Sequence, residues 1–233
     1  HVNINRLLEL TKPVATAVVP ISAGRHIYKR EPSFPIAVAC DPVFNFVYEA
    51  NIRYLHHLGE VTYFSPLADT SLPDAGFVYL PGGYPELYLA ALSANRQMLQ
   101  SIRRYVESGG KLLAECGGMM YLCDEIRDKN GYVYPMAGVL HQSATMENMK
   151  LRLGYRTLLY NETRLKGHEF HYSRLVEQQN PLPSCAVAYT AKGVETDTPL
   201  YHYKNVWAGY THLYWADPVG NEWFTKFVID GNT

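Results

Sequence analysis

Leu112-Leu113-Ala114-Glu115-Cys116-Gly117-Gly118-Met119-Met120 sets an apolar run, a cysteine and two glycines in immediate succession. The run reads as a buried strand and the segment behind the glycines as a helix. A cysteine at such a junction has the layout of a nucleophile elbow, a tight turn that lifts the side chain above a sheet edge. Small neighbours tolerate the strained backbone that the turn requires. A helix N-terminus behind the sulfur would favour thiolate and lower the thiol pKa from its ordinary ~8.5. The plainer reading is a buried structural cysteine in a strand-to-helix turn.

Strands and helices alternate upstream of this stretch. Ile36–Ala39 reads as a short buried strand, and Phe44–Leu58 as a helix with Val47, Ala50, Tyr54, Leu55 and Leu58 at helical spacing, stopped by Gly59. Val61–Phe64 and Phe77–Leu80 read as the second and third strands. Asn95 caps a helix carrying Met98, Leu99, Ile102, Tyr105 and Val106 on one face, closed by Gly109-Gly110. Lys111–Glu115 is the fourth strand, and Gly117–Asp124 a helix behind it. This order predicts an α/β fold, a mostly parallel sheet with helices on both faces.

Beyond Asp128 the character changes. Tyr132–Tyr134, Tyr155–Tyr160, Glu169–Leu175, Val187–Ala191 and Val206–Tyr210 are short, aromatic and separated by turns. They predict a strand-rich, mostly antiparallel second half, and Glu222–Ile229 a closing helix. At the other end, a short helix over Ile4–Leu10 precedes an irregular stretch, Val14–Pro35, so the main domain is expected to begin near Pro35.

With 47% hydrophobic and 18% charged residues among 233, the chain is globular rather than disordered. Its 21 Lys+Arg balance 22 Asp+Glu without a basic cluster, which leaves no electrostatic footprint for nucleic acid or an anionic membrane. The apolar runs fall short of the ~20 residues that cross a bilayer, and no signal segment opens the chain. Four cysteines (Cys40, Cys116, Cys123, Cys185) without paired spacing predict reduced thiols and a cytoplasmic protein.

Other segments carry chemistry. Leu80-Pro81-Gly82-Gly83-Tyr84-Pro85-Glu86 ends a strand in paired glycines and starts a helix near Pro85. Its loop shares the carboxyl edge of the sheet with the elbow, where ligands bind. Free N–H groups at Gly82 and Gly83 would suit an oxyanion hole, the alternative being an ordinary turn. A cysteine nucleophile needs a base, and His212, behind a strand-like run, can reach the same edge, although it also reads as a structural histidine. His168 and His171, at i and i+3 in a strand-like segment, point to opposite faces, which argues against a metal site. Gly110-Lys111 lacks the rest of a P-loop, and no G-x-G-x-x-G is present.

Gly82-Gly83, Cys116, Phe170-His171-Tyr172-Ser173 and His212, in that order and spacing, resemble the class I (triad-type) glutamine amidotransferases. Phe64–Leu67, Gly82–Glu86, Ala114–Leu122, Tyr134–Val139 and Gly167–Ser173 narrow the resemblance to the glutaminase half of the cobyrinic acid a,c-diamide synthase family, over roughly 35–218. The resemblance implies a flavodoxin-like glutaminase domain, 36–233, that draws ammonia from glutamine. It implies that 1–35 is the remnant of an upstream synthetase domain and its linker. In that domain ATP and Mg²⁺ would activate two carboxylates of a corrinoid macrocycle held at the domain interface. No cofactor or metal is expected in this chain itself, and a homodimer stays open.

Carried over by position, Cys116 is the nucleophile, His212 the base and acid, and Gly82, Gly83 and Gly117 the oxyanion hole. Phe170, His171, Tyr172 and Ser173 resemble the strand whose backbone holds the amino-acid end of glutamine, or else face the macrocycle. Many class I glutaminases carry a glutamate two residues after the histidine, where this chain has Tyr214, so a Cys–His dyad is expected, with Tyr214 or Glu169 as candidate orienters of His212. The alternatives are a related tetrapyrrole amidase acting on nickel-sirohydrochlorin or a cobyric acid precursor, a non-catalytic macrocycle docking domain, and a cysteine hydrolase of the intracellular-protease type.

Overall fold

Residues 34–230 are described by the structure, a computed structural model. Strand β1 (Phe34–Ala39) is buried over its last four residues, as a strand covered on both faces must be. Helix α1 (Glu49–Leu58), β2 (Gly59–Phe64), β3 (Phe77–Leu80), helix α2 (Arg96–Glu107), β4 (Lys111–Glu115) and the short helix α3 (Gly117–Leu122) follow. The second half adds β5 (Arg152–Tyr160), β6 (Thr163–His171), β7 (Val187–Thr190), β8 (Leu200–Tyr203), β9 (Val206–Gly209), β10 (His212–Leu213) and helix α4 (Pro218–Thr225). The expected segment 1–35, with its Ile4–Leu10 helix, lies almost wholly outside the described residues.

The central sheet runs β8-β9-β4-β3-β1-β2. Its pairings are parallel except at the β8 edge, which is antiparallel to β9. Counted along the chain, the parallel strands lie in the flavodoxin-like order 2-1-3-4-5. Alternate side chains feed two cores. Val78, Leu80, Leu112 and Ala114 pack with Met98, Ile102 and Val106 of α2, while Phe77, Tyr79 and Leu113 face Leu55, Trp207, Trp215 and Phe224. Because the parallel strands end at one edge, the segments after β3, β4 and β9 come together there. Those segments carry Gly82-Gly83, Cys116 and His212.

A second, antiparallel sheet contains β7-β5-β6-β10 in that order. It overhangs the carboxyl edge because β10 follows directly from β9, pairing Gly167 with Leu213 and His168 with His212.

Three elements differ from expectation. Val206–Gly209 belongs to the parallel sheet, against β4, rather than to the antiparallel half. Phe44–Phe46 does not start a helix but pairs antiparallel with Gly82–Gly83. Asp41 Oδ1 accepts the N–H groups of Val43 and Phe44, and this side-chain turn diverts the chain before α1 begins at Glu49. The closing helix starts earlier, at Pro218, because Asp217 caps it by accepting the Gly220 N–H at 2.7 Å.

Candidate active site

Cys116 sits between β4 and α3 with φ 48° and ψ −106°, a conformation that costs a non-glycine residue about 1–3 kcal/mol. The surroundings hold it there. Its N–H donates to the Gly209 carbonyl at 2.7 Å, which ties the elbow to the end of β9. A Cβ on Gly118 would stand 2.1 Å from the Leu80 carbonyl oxygen, and one on Gly117 would stand 2.9 Å from that of Gly83. The two glycines after the cysteine therefore let α3 lie directly on the loop that follows β3. The thiol is buried and donates to the Phe170 carbonyl at 3.7 Å.

His212 reaches the same place from β10. Gly167 permits the approach, since a Cβ there would lie 2.4 Å from the His212 carbonyl oxygen. The imidazole rests against Gly82 and is covered by the Phe46 ring, with centroids 4.3 Å apart. Phe46, Gly83, Tyr84, Cys116, Phe170 and His212 enclose a cavity of about 30 Å³. Cys116, His212, Gly82, Gly83 and Gly117 are thus brought together.

The Phe170–Ser173 segment divides. Phe170 lines the cavity, and Tyr172 turns outward with its ring edge on Phe170. His171 lies on the opposite face of β6, bonded to Glu169 at 2.7 Å and stacked on Tyr210 at 3.7 Å. Ser173 is buried behind the cavity, where its hydroxyl donates to the Tyr210 hydroxyl at 3.2 Å. His168 and His171 occupy opposite faces of one strand, and among the described residues no three His, Cys, Asp or Glu side chains converge on a metal position. No helix among the described residues is long and apolar enough to cross a membrane.

Neither candidate orienter hydrogen-bonds to His212. Tyr214 is part-exposed, its ring set edge-on against Tyr48. The Glu169 carboxylate points away with His171, where Arg156, His171 and Thr198 engage it. Strand alternation explains this, because neighbours of His168 on β6 face the other side. The buried Nδ1 of His212 has no hydrogen-bond partner, and Glu115 Oε2 stands 4.0 Å from it. Glu115 is itself buried and accepts from the Tyr79 hydroxyl at 2.7 Å and the Leu213 N–H at 3.0 Å. Sequence reasoning passes over it, although a carboxylate ending an apolar strand signals a buried acid in need of partners.

The electrostatics reverse one expectation. Burial pushes the Cys116 thiol up to about 12, and the Glu86 charge adds to this against the opposing Gly117 N–H. The short helix behind the sulfur does not outweigh removal from water. Burial also draws His212 down to about 3, helped by His168 and His171. At neutral pH the pair is therefore a thiol and a neutral imidazole.

A flavodoxin-like sheet carrying a cysteine elbow and a facing histidine at its carboxyl edge is the fold of the class I glutamine amidotransferases. Solved structures share it: PurLQS from Thermotoga maritima matches with TM-score 0.53 at 16% identity, over 85% of this chain and 96% of that one. A glutamine amidotransferase from the same organism matches with TM-score 0.51 at 12% identity, over 85% and 84%. At that identity they speak for the fold alone. The model of the CobB/CobQ-like glutamine amidotransferase domain matches residues 35–219, and the chain belongs to that family.

Hydrogenobyrinate a,c-diamide synthase of Pseudomonas aeruginosa is 40% identical over 77% of this chain and 41% of its own length. Cobyrinate a,c-diamide synthase of Fusobacterium nucleatum is 39% identical over 77% and 41%. That of Picrophilus torridus is 37% identical over 91% and 47%. The chain thus spans less than half the length of these curated relatives.

Proposed function

We propose that this chain is the glutaminase half of an ATP-dependent amidoligase, supplying ammonia for the a,c-diamidation of a cobyrinate-type corrin. The observation that carries the reading is the meeting of an elbow cysteine, Cys116, with His212 and Gly83 in one cavity. The names of the relatives support the substrate class.

Cys116 is the nucleophile. Its proton passes to His212 as the sulfur adds to the side-chain carbonyl of glutamine, and N–H groups of Gly82, Gly83 and Gly117 receive the oxyanion. His212 returns the proton to the departing nitrogen, so ammonia leaves and a thioester remains. Water, deprotonated by His212, then releases glutamate. The backbone of the segment starting at Phe170 holds the amino-acid end of the substrate. ATP and Mg²⁺ belong to the upstream synthetase half, which activates the macrocycle carboxylates and consumes the ammonia. A neutral thiol–imidazole pair supports a site that becomes competent when substrate or the other half engages it.

Cys116→Ser is expected to abolish glutamine hydrolysis with the fold intact, while free ammonia still supports amidation by the intact protein. An electrophilic glutamine analogue should label Cys116. Loss of both activities would make Cys116 structural, and absence of an adduct would favour a docking role.

A further inference from the structure

Beside the cavity lies a buried carboxylate that the reaction above leaves unused. Glu115 closes β4 one residue before the nucleophile, and both its oxygens are occupied from the same neighbourhood. Oε1 accepts the Leu213 N–H at 3.0 Å, and Oε2 accepts the Tyr79 hydroxyl at 2.7 Å. Trp215 engages the same carboxyl, and with two lone-pair sites on each oxygen the group has capacity for a fourth partner. Oε2 stands 4.0 Å from the orphaned Nδ1 of His212.

We propose that Glu115 is the positioning residue for His212, holding the backbone of β10 through Leu213 and directing Nδ1 of the imidazole toward its own carboxylate. The proposal rests on the reading of Cys116 and His212 as the reacting pair. Pointing Nδ1 at Glu115 leaves Nε2 for the thiol. When the Cys116 proton moves to Nε2, the sulfur becomes thiolate and the ring imidazolium, and its Nδ1–H faces the Glu115 carboxyl, an acceptor that burial keeps largely neutral until pH nears about 8, instead of an apolar wall. Glu115 exchanges no proton with substrate.

Among the other groups around the ring, Glu169 also favours its protonation, but from the far face of β6. Phe46 covers the ring, Gly82 backs it, and His168 on β6, with centroids 6.5 Å away, is a further imidazole. His171 and Glu169 lie on the far face of that strand, bonded to one another. Glu86 acts on Cys116 from the other side.

The test compares Glu115→Gln, Glu115→Ala and His212→Asn in the intact protein. Three readouts apply: glutamine hydrolysis, the melting temperature, and the pH dependence of Cys116 alkylation by iodoacetamide. Glu115→Gln keeps the shape and removes a group that ionises as pH approaches about 8, so the assays are read at pH 8 and above. It should lower kcat by about 10²-fold with KM nearly unchanged, and shift the alkylation curve, because Glu115 acts on Cys116 both directly, its charge raising the thiol, and through the imidazolium. Burial pushes the Glu115 carboxyl up to about 8, so stability is lost as pH rises from the unfolded carboxyl value to about 8. The Gln variant should therefore melt no lower than the parent at pH 8, so a loss of kcat there is not a loss of fold. Glu115→Ala should lose activity and melting temperature together. If His212→Asn shifts the alkylation curve and Glu115→Gln leaves both curve and kcat unchanged, the positioning role is overturned and the dyad stands. If His212→Asn leaves the curve unchanged, the dyad fails first and the positioning role with it.

Discussion

The imidazole of His212 rests on Gly82 so closely that a Cβ at that glycine would stand 2.0 Å from Cε1. The glycine therefore makes room for the imidazole, a requirement separate from the oxyanion role proposed for its N–H. Gly82→Ala is expected to leave the fold intact, because the ring rather than backbone must yield. The displaced imidazole should lower glutamine turnover about 10²-fold. Circular dichroism beside a glutaminase assay checks this, and full activity would show that the ring is free to move.

Phe46 shuts the cavity over His212. Removing its ring in Phe46→Ala should make Cys116 markedly more reactive toward iodoacetamide, followed by mass spectrometry. Tyr172→Ala, on an outward-turned side chain, should not. Equal rates in both variants would mean that access is governed elsewhere.

Asn51 of α1 is buried and grips the segment behind His212, at the same residue that Glu115 holds. Its Nδ2 donates to the Leu213 carbonyl at 2.8 Å, and its Oδ1 accepts the Trp215 N–H at 3.0 Å. Asn51→Leu strands two buried backbone groups and should cost about 2–4 kcal/mol in urea unfolding. A cost near zero would show that the segment finds other partners.

Glu169 is held below the usual carboxylate range. Burial opposes its ionisation, but the His171 hydrogen bond and the charges of His171 and Arg156 outweigh burial. Its contribution to stability is present above the unfolded carboxyl pKa and is lost as pH falls through the lower folded value. Breaking a buried ion pair costs about 3–5 kcal/mol, so Glu169→Gln should be strongly destabilised at neutral pH. The gap to the parent should narrow below about pH 4. A pH-independent gap in chemical denaturation would assign the loss to packing.

Much of this molecule is legible locally. The strand at Lys111–Glu115, the cysteine turn, the Asn95-capped helix and the buried β1 follow from neighbours within a few residues. Hydrophobic period and capping chemistry are short-range signals. Helical spacing misreads Phe44–Phe46 because its partner, Gly82–Gly83, lies far along the chain, and a local period cannot register a distant strand. Val206–Gly209 is misplaced for a related reason, since four residues carry no mark of which sheet they join.

The same division runs through the site. The sequence by itself determined the cysteine turn and its glycine surroundings, because an elbow is built from consecutive residues whose backbone must bend and pack closely. Tertiary structure alone decided what surrounds the base. His212 meets Gly82, Phe46 and Glu115 through β10, the Phe44–Phe46 ribbon and β4, three elements remote in the chain. It also set the charge states: local reading predicts a lowered thiol pKa, but desolvation depends on everything packed around the sulfur, and here it pushes the thiol up to about 12.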